Sequence, residues 1–291
     1  MIEIINIFFF SLLFSLLIFY PVLGNFKSNL WGTTLSSNDF KVLNLFLFCN
    51  FLIFLSIFEI KLSSVIKIIF LTYILFIFFI LYKKNFFYLK LSNLKNYFFV
   101  YFVIFIISID LALSLNLYWD AKKLWLPKAL VFYNDLTISD LKNTAYQHYS
   151  YFGSLIWAFF WKVSNMSQEY FGRIFYIVIF VLSLFIYSKL FSPSPKKQIV
   201  ILLFLVLIIY DYWHLRGTQE ILNFSFLLIC SVYLYEMIFN KKNDNFYLFI
   251  IILGINILIW TKNEGMFFSL FIVITFLINS KINLKLKIIV L

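Results

Sequence analysis

Long apolar runs recur along almost the whole chain and limit the folds that it can adopt. Each run has about 15 to 22 residues, close to the roughly 20 that an α-helix needs to cross a bilayer. Inside a bilayer the backbone finds no water, so a spanning chain must satisfy its polar groups within helices or a closed barrel. The composition, 63% hydrophobic and 13% charged residues, excludes a soluble globular protein. We therefore predict an all-α, polytopic membrane protein with about nine or ten transmembrane helices.

The predicted spans form two groups, three N-terminal spans in residues 1–96 and a larger core in 97–291. The first run is interpreted as a transmembrane helix and not a secretory signal, because it carries Glu3 and lacks a basic start and a small-residue cleavage site. The run that starts at residue 283 is short, so either the chain ends in a partial span or its C-terminal part is missing. The other spans are predicted at 4–22, 43–60, 65–82, 97–118, 171–190, 198–213, 220–239, 246–260 and 265–280.

The charge pattern predicts the orientation of these spans. Residues 151–163 are apolar, but at 1.5 Å per residue they reach only about 20 Å, short of the roughly 30 Å hydrocarbon core. If they lie in the interface or re-enter, the loops 119–170, 211–219 and 261–264 share one face. The other face then has 14 Lys and 3 acids, a net +11, while the remaining 10 basic and 10 acidic residues cancel. Because basic residues accumulate on the cytoplasmic side, the large loop faces outwards, and the charge needs no nucleic-acid partner.

The longest polar stretch begins with Asp120, directly after a predicted span, in the sequence YWDAKKLWLPKAL. One interpretation of Asp120 is the N-cap of a helix. The other is a general base or metal-binding carboxylate at the water edge of the bilayer. Lys122, Lys123 and Lys128 can extend to the headgroups while apolar neighbours lie on the membrane. The stretch is thus expected to lie flat and direct Asp120 towards a lipid-borne substrate.

Other outward loops carry candidate residues, each with a structural alternative. His148 is either a solvated loop residue or a contact to substrate or metal. Tyr151 either binds a sugar or belongs to the interfacial aromatic belt. Glu220 opens a span, where an acid needs a partner or a wet cavity. Arg216, four residues earlier, is either that partner or a phosphate ligand.

The remaining candidates lie near span ends. Lys262 and Glu264 occupy the turn WTKNEG between two spans, as a topogenic charge pair or as part of a site. Arg173, at the outer start of a span, suits the neutralisation of a lipid phosphate. Asp110 is an intramembrane acid expected to line the same cavity. The two cysteines fall inside apolar runs and are interpreted as packing residues.

The order of these features resembles the membrane glycosyltransferases of the GT-C type, in particular the bacterial relatives of protein O-mannosyltransferases and of the lipid A aminoarabinose transferase. The resemblance covers residues 97–280 and includes the acid after a span, the short aromatic helix, YFGRIFYIV, a basic hinge, an outward R…E pair and TKNEG. It implies that Asp120 corresponds to the first-loop acid and 151–163 to a juxtamembrane helix. It also implies that Arg173 corresponds to the Arg that opens the next span, and Glu220 to the second outer acid.

The resemblance implies a glycosyltransferase that uses a polyprenyl-phosphate-linked sugar and acts at the outer face of a bacterial inner membrane. The implied partners are this donor, membrane lipid, and a glycan, lipid or protein acceptor. Use of a divalent cation stays open, because the first loop begins with a single acid, in WDA, where many members have paired acids. The three N-terminal spans also exceed the usual one. The implied roles are catalysis for Asp120, Glu220 and Glu264, and substrate binding for His148, Tyr151, Arg173, Arg216 and Lys262.

Two alternatives from other classes remain. A flippase for lipid-linked glycans would place paired charges deep in several spans or break helices at the midplane, whereas this chain keeps its charges near the outer edge. A lipid-linked glycan polymerase or ligase shares the outer loop but usually carries it late in the chain. The sugar and the acceptor are not determined by the sequence.

Overall fold

Helices make up all the regular structure of the chain in the computed structural model, which describes residues 2–19, 36–82, 91–211, 215–239, 245–279 and 282. A π-helix, Ala121–Trp125, and a 3₁₀-helix, Ile138–Asn143, lie in the large loop. The α-helices of the described ranges are α1 (Ile2–Phe19), α2 (Ser37–Ile57), α3 (Leu62–Tyr82), α4 (Leu91–Leu113), α5 (Leu126–Tyr133), α6 (Phe152–Ser164), α7 (Tyr170–Ser188), α8 (Pro195–Ile209), α9 (Glu220–Phe239), α10 (Asn245–Thr261) and α11 (Asn263–Ile278).

Three helices are long and apolar enough to cross a membrane, Asn38–Ile57, Tyr170–Ser188 and Glu220–Phe239. The shorter apolar helices are Ile2–Leu17, Leu62–Leu75, Tyr97–Leu113, Asn245–Thr261 and Asn263–Ile278. The all-α class is therefore confirmed for the described residues, and these three helices agree with a membrane protein. The number of spans stays a prediction, and the partial span from 283 lies outside the described residues, as do the basic segments 83–90 and 240–244.

The helices alternate in direction, so that the predicted outward loops meet at one end of the bundle. The backbone N–H of Tyr118 donates to the carbonyl of Arg216 over 3.0 Å, which joins the large loop to the α8–α9 connection. Ser150 Oγ lies 3.3 Å from Asn263 Oδ1, which joins the same loop to the α10–α11 turn. These contacts agree with the predicted grouping of 119–170, 211–219 and 261–264 at one end.

A buried carboxylate marks the opposite end. Asp39 belongs to a capping box with Ser36 at the start of α2, and it is 2% exposed. Lys189, just after α7, lies 3.2 Å from its Oδ1, and the Tyr233 hydroxyl of α9 donates to the same oxygen over 2.9 Å. One acid thus connects α2, α7 and α9 at the end that the charge pattern predicts to be cytoplasmic.

Helix α6 does not cross the bundle but folds back along α7. The Tyr176 hydroxyl donates to the carbonyl of Gly153 over 2.8 Å, and the rings of Phe160 and Phe175 stack at 3.7 Å. A left-handed residue, Asn165 (φ 53°), ends α6 just before the turn into α7. The predicted short, non-crossing segment is therefore observed.

Helix α6 packs inside the protein. Eleven of its 13 residues are buried, which agrees with the re-entrant alternative. Gly172 makes this packing feasible, since a Cβ at this position would stand 2.2 Å from the Trp157 carbonyl oxygen. The aromatic side chains of α6 fill the core between α1, α2 and α7, and its juxtamembrane position stays a prediction.

Candidate functional site at the loop end of the bundle

Asp120 stands at the start of the π-helix with a half-buried side chain. Helix α4 ends at Leu113, and residues 114–118 are not helical, so the predicted span 97–118 extends beyond the C-terminal end of the helix. The Asp120 backbone is already right-handed helical (φ −60°, ψ −40°), and its side chain makes no capping bond. Within the described part of the chain its carboxylate makes no hydrogen bond or ion pair. The N-cap interpretation is therefore not observed, and the carboxylate is available for another role.

A glycine brings the α8–α9 connection against the start of the π-helix. Gly217 has φ +83°, and a Cβ there would meet Ala121 Cβ at 3.0 Å and a Trp157 ring carbon at 2.9 Å. Only glycine fits this left-handed, close approach without strain. Gly217 is three residues from Glu220, a reach of at most about 11 Å. The connection that leads to Glu220 thus packs against Ala121, the residue after Asp120.

Glu220 forms a three-membered charge cluster with the α10–α11 turn. Lys262 Nζ lies 2.6 Å from Glu220 Oε1 and 3.1 Å from Glu264 Oε1. Burial alone lowers the pKa of Lys262, but the hydrogen bonds and charges of the two glutamates outweigh it, and the pKa is raised. The partner of Glu220 is therefore Lys262 and not the Arg216 suggested by sequence spacing. The cluster carries a net charge of −1, so Lys262 is a weak candidate for a phosphate.

Arg173 lies inside the protein and supports the fold. Its guanidinium donates from Nε to Glu169 Oε2 over 2.9 Å and from Nη2 to Glu169 Oε1 over 2.6 Å. It also donates to the carbonyl of Leu215 and lies 5.5 Å from the Trp157 ring centre. The whole residue is buried, and its side chain is 1% exposed. Arg173 therefore acts as a structural cation that holds the start of α7 to the α8–α9 connection. Its buried side chain is not at a surface where the predicted partner, a lipid phosphate, would contact it.

The two predicted residues of the aromatic stretch have opposite locations. Tyr151 is buried, with its hydroxyl 3.1 Å from Ser56 Oγ and its ring edge-to-face with Trp260 at 5.4 Å. Burial raises the pKa of this hydroxyl, although Ser56 partly opposes the rise. His148 is exposed, with Gln147 as its contact at 3.5 Å. The structure therefore brings His148, but not Tyr151, to a surface where a ligand could bind.

Lys128 departs from the predicted position at the headgroups. It is 0% exposed, and its Nζ donates to the Tyr149 carbonyl over 2.6 Å. Nζ also lies 5.8 Å from the ring centre of Trp125. Burial lowers the pKa of Lys128 to about 8. The expectation of snorkelling is thus wrong for this lysine, because α5 turns this side of the helix towards the loop and not towards the lipid.

The large loop contains a second ion pair that the local sequence does not predict. Lys162, at the end of α6, lies 2.7 Å from Asp135 Oδ2. Asp135 Oδ1 accepts a hydrogen bond of 2.8 Å from the backbone of Ser63 at the start of α3. Burial raises the pKa of Asp135, but Lys162 and Ser63 together hold it below its usual value. This pair joins α3, the loop and α6, and only the spatial arrangement reveals it.

Two amide oxygens near the start of α9 are buried without a hydrogen-bond partner in the described part of the chain, Gln219 Oε1 and Asn223 Oδ1. The Gln219 amide does donate to the Tyr176 hydroxyl over 3.1 Å. An unpaired buried acceptor costs about 1–3 kcal/mol. Two amide oxygens within one turn of Glu220 are thus buried at an energetic cost to the fold. The sequence pattern does not reveal this cost.

The other predicted groups are placed as follows. The Tyr210 hydroxyl donates to Asp110 and joins α8 to α4, so Asp110 has a structural partner. Arg216 is half-buried in the α8–α9 connection. Among the described residues no group of three or more His, Cys, Asp or Glu could hold a metal ion.

Comparison of the chain with protein-family models, with curated proteins and with solved structures found no match. The site is therefore interpreted from its own geometry.

Proposed function

We propose that the protein is a glycosyltransferase that moves a sugar from a polyprenyl-phosphate-linked donor to an acceptor at the outer face of a bacterial inner membrane. The observation that carries the proposal is the half-buried Asp120 carboxylate at the loop end of the bundle, which has no partner among the described residues. Two other half-buried acids of the large loop do have partners, since Asp135 pairs with Lys162 and Glu169 with Arg173. An acid kept without a partner at the membrane edge suits a general base.

The chemistry requires three functions at one level of the bilayer. A base must take the proton from the acceptor hydroxyl as its oxygen bonds to the anomeric carbon. The bond from that carbon to the phosphate oxygen breaks, and the polyprenyl phosphate leaves. Asp120 is the proposed base, and the exposed carboxylates of Glu220 and Glu264 are candidates to accept hydrogen bonds from sugar hydroxyls.

The location of the groups supports a lipid-linked substrate. Three helices of the described ranges are long and apolar enough to span a membrane, and Asp120 lies a short non-helical segment beyond the end of the apolar helix α4. The contact of Gly217 with Ala121 keeps Asp120 close to the connection that leads to Glu220. A donor with its scissile bond in the headgroup layer would therefore meet the base and the glutamates without leaving the membrane.

The test is a transfer assay in membrane vesicles with labelled polyprenyl-phosphate sugars of several types. We expect Asp120→Asn to lower the transfer rate about 10²- to 10⁴-fold, the usual contribution of general-base assistance. The matched control is Glu59→Gln, which removes the same charge from an exposed residue of the α2–α3 turn. Wild-type transfer by Asp120→Asn would contradict the assignment of the base. Movement of an intact lipid-linked glycan across the membrane, without transfer, would instead indicate a flippase.

A further inference from the structure

Most cations at the loop end of the bundle are already bound to groups of the protein. A substrate phosphate needs a cation that is not neutralised, and each bound lysine or arginine has its charge or its donors occupied. Within the described residues the occupied cations are Lys128 on the Tyr149 carbonyl, Lys162 on Asp135, Arg173 on Glu169, and Lys262 on Glu220 and Glu264. The half-buried Arg216 also takes part in an interaction. The phosphate ligand is therefore sought among the exposed lysines of this end.

Two adjacent lysines of the π-helix have the required properties. Lys122 and Lys123 are exposed, and neither makes an ion pair or side-chain hydrogen bond with the described residues. Their neighbours Ala121, Leu124 and Trp125 are buried, so the π-helix is anchored on one side and presents both ammonium groups on the other. Asp120, the proposed base, is two residues from Lys122.

The surface that leads to these lysines is apolar. Helix α4 exposes Phe98, Phe102, Ile106 and Leu113, whose spacing of 4, 4 and 7 residues keeps them on one face of a helix. Trp119, which is also exposed, lies between the end of α4 and the lysines. An apolar helix in a membrane presents such a stripe to lipid, and tryptophan is enriched at the headgroup level. In sequence, the lysine pair therefore follows the end of α4 at which a lipid chain along the stripe would reach the headgroup layer.

We infer that Lys122 and Lys123 bind the phosphate of a lipid-borne substrate, with its isoprenoid chain along the exposed stripe of α4 and its sugar next to Asp120. This inference rests on the proposed function and names the phosphate site of that function. Two lysines give a local charge of +2 against the single negative charge of Asp120, whereas the Lys262 cluster has a net charge of −1.

The test measures binding and not only activity. The full-length chain is placed in nanodiscs of zwitterionic lipid, and polyprenyl phosphate is titrated against wild type and Lys122→Gln/Lys123→Gln. A lysine next to a lipid phosphate strengthens binding about five- to sixfold, so the loss of Lys122 and Lys123 together should weaken binding about 30-fold. The matched control is Lys61→Gln/Lys142→Gln, which removes two exposed charges from other segments of the same end and should bind as wild type. Unchanged melting temperatures verify that both variants are folded.

Two further ligands identify the source of the phosphate. Polyprenol, which lacks the phosphate, should bind weakly and equally to both proteins. Phosphatidylglycerol should bind more weakly than polyprenyl phosphate; equal affinity would overturn the assignment to the donor lipid. Wild-type affinity of Lys122→Gln/Lys123→Gln for polyprenyl phosphate would overturn the site itself.

The kinetic test separates this inference from the proposed function. In the transfer assay the double lysine variant should raise the KM for the donor and leave kcat nearly unchanged, whereas Asp120→Asn should lower kcat. If no donor is ever used but the lysines still control polyprenyl-phosphate binding, the proposed function fails and the phosphate site stands. If transfer occurs and the KM does not change, the phosphate site fails and the function stands.

Discussion

Replacement of Arg173 by Met tests whether this arginine holds the fold or binds substrate. Its guanidinium makes two hydrogen bonds to Glu169 and one to the Leu215 carbonyl, and the side chain is 1% exposed. Removal of one partner of a buried ion pair costs about 3–5 kcal/mol. Because the Glu169 side chain is 20% exposed, water can partly solvate the remaining carboxylate, and we expect the lower limit, about 3 kcal/mol.

The assay is thermal unfolding of the protein in nanodiscs, followed together with the donor KM. At roughly 2 °C per kcal/mol for a chain of this size, Arg173→Met should melt about 6 °C below wild type. The double variant Arg173→Met/Glu169→Gln should lose less than the sum of the single variants, with a coupling of about 1–3 kcal/mol. Lys142→Met, at an exposed site, is the control and should melt within about 1 °C of wild type. An unchanged melting temperature of Arg173→Met with a tenfold rise in the donor KM would refute the structural role.

Three further predictions concern packing, pH and orientation. Gly172→Ala should destabilise the protein by about 1–3 kcal/mol, because the new methyl meets the main-chain oxygen of Trp157 at 2.2 Å; a wild-type melting temperature would contradict the close α6–α7 packing. Burial lowers the pKa of Lys128 to about 8, so between pH 8 and its ordinary value of about 10.5 the unfolded chain binds more protons and stability rises with pH. Melting curves of wild type should show this rise and those of Lys128→Met should lack it; equal pH slopes would disprove it. In intact cells an impermeant maleimide should label Lys122→Cys but not Lys196→Cys, and the reverse pattern would invert the proposed orientation.

Local sequence patterns were sufficient to predict where most of the helices lie. The predicted span 220–239 coincides with α9, Glu220–Phe239, and 246–260 with α10, Asn245–Thr261. An apolar run in a membrane forms a helix, since its backbone polar groups must form hydrogen bonds within the segment. The run 151–163 was likewise recognised as too short to cross, because length is a property of the sequence itself.

Pairing of charges was not predictable in the same way. Lys262 and Glu220 are 42 positions apart, and Lys162 and Asp135 are 27 apart. The expected partner of Glu220, Arg216, came from i,i+4 spacing, which applies within one helix, but the connection before α9 is not helical at Arg216. Tertiary packing brought Lys262 from another turn to Glu220 instead.

The sequence by itself determined that this chain is a helical membrane protein, where most of its helices lie, and that its polar groups concentrate at their ends. These properties follow from the length and hydrophobicity of each segment, which act locally. Only the tertiary structure decided that α6 is buried and that Arg173 and Lys262 are paired, whereas Asp120, Lys122 and Lys123 have no partner among the residues that the structure describes. The physical reason is that the state of a charge depends on which distant segment packs against it, and the order of residues along the chain does not specify that contact.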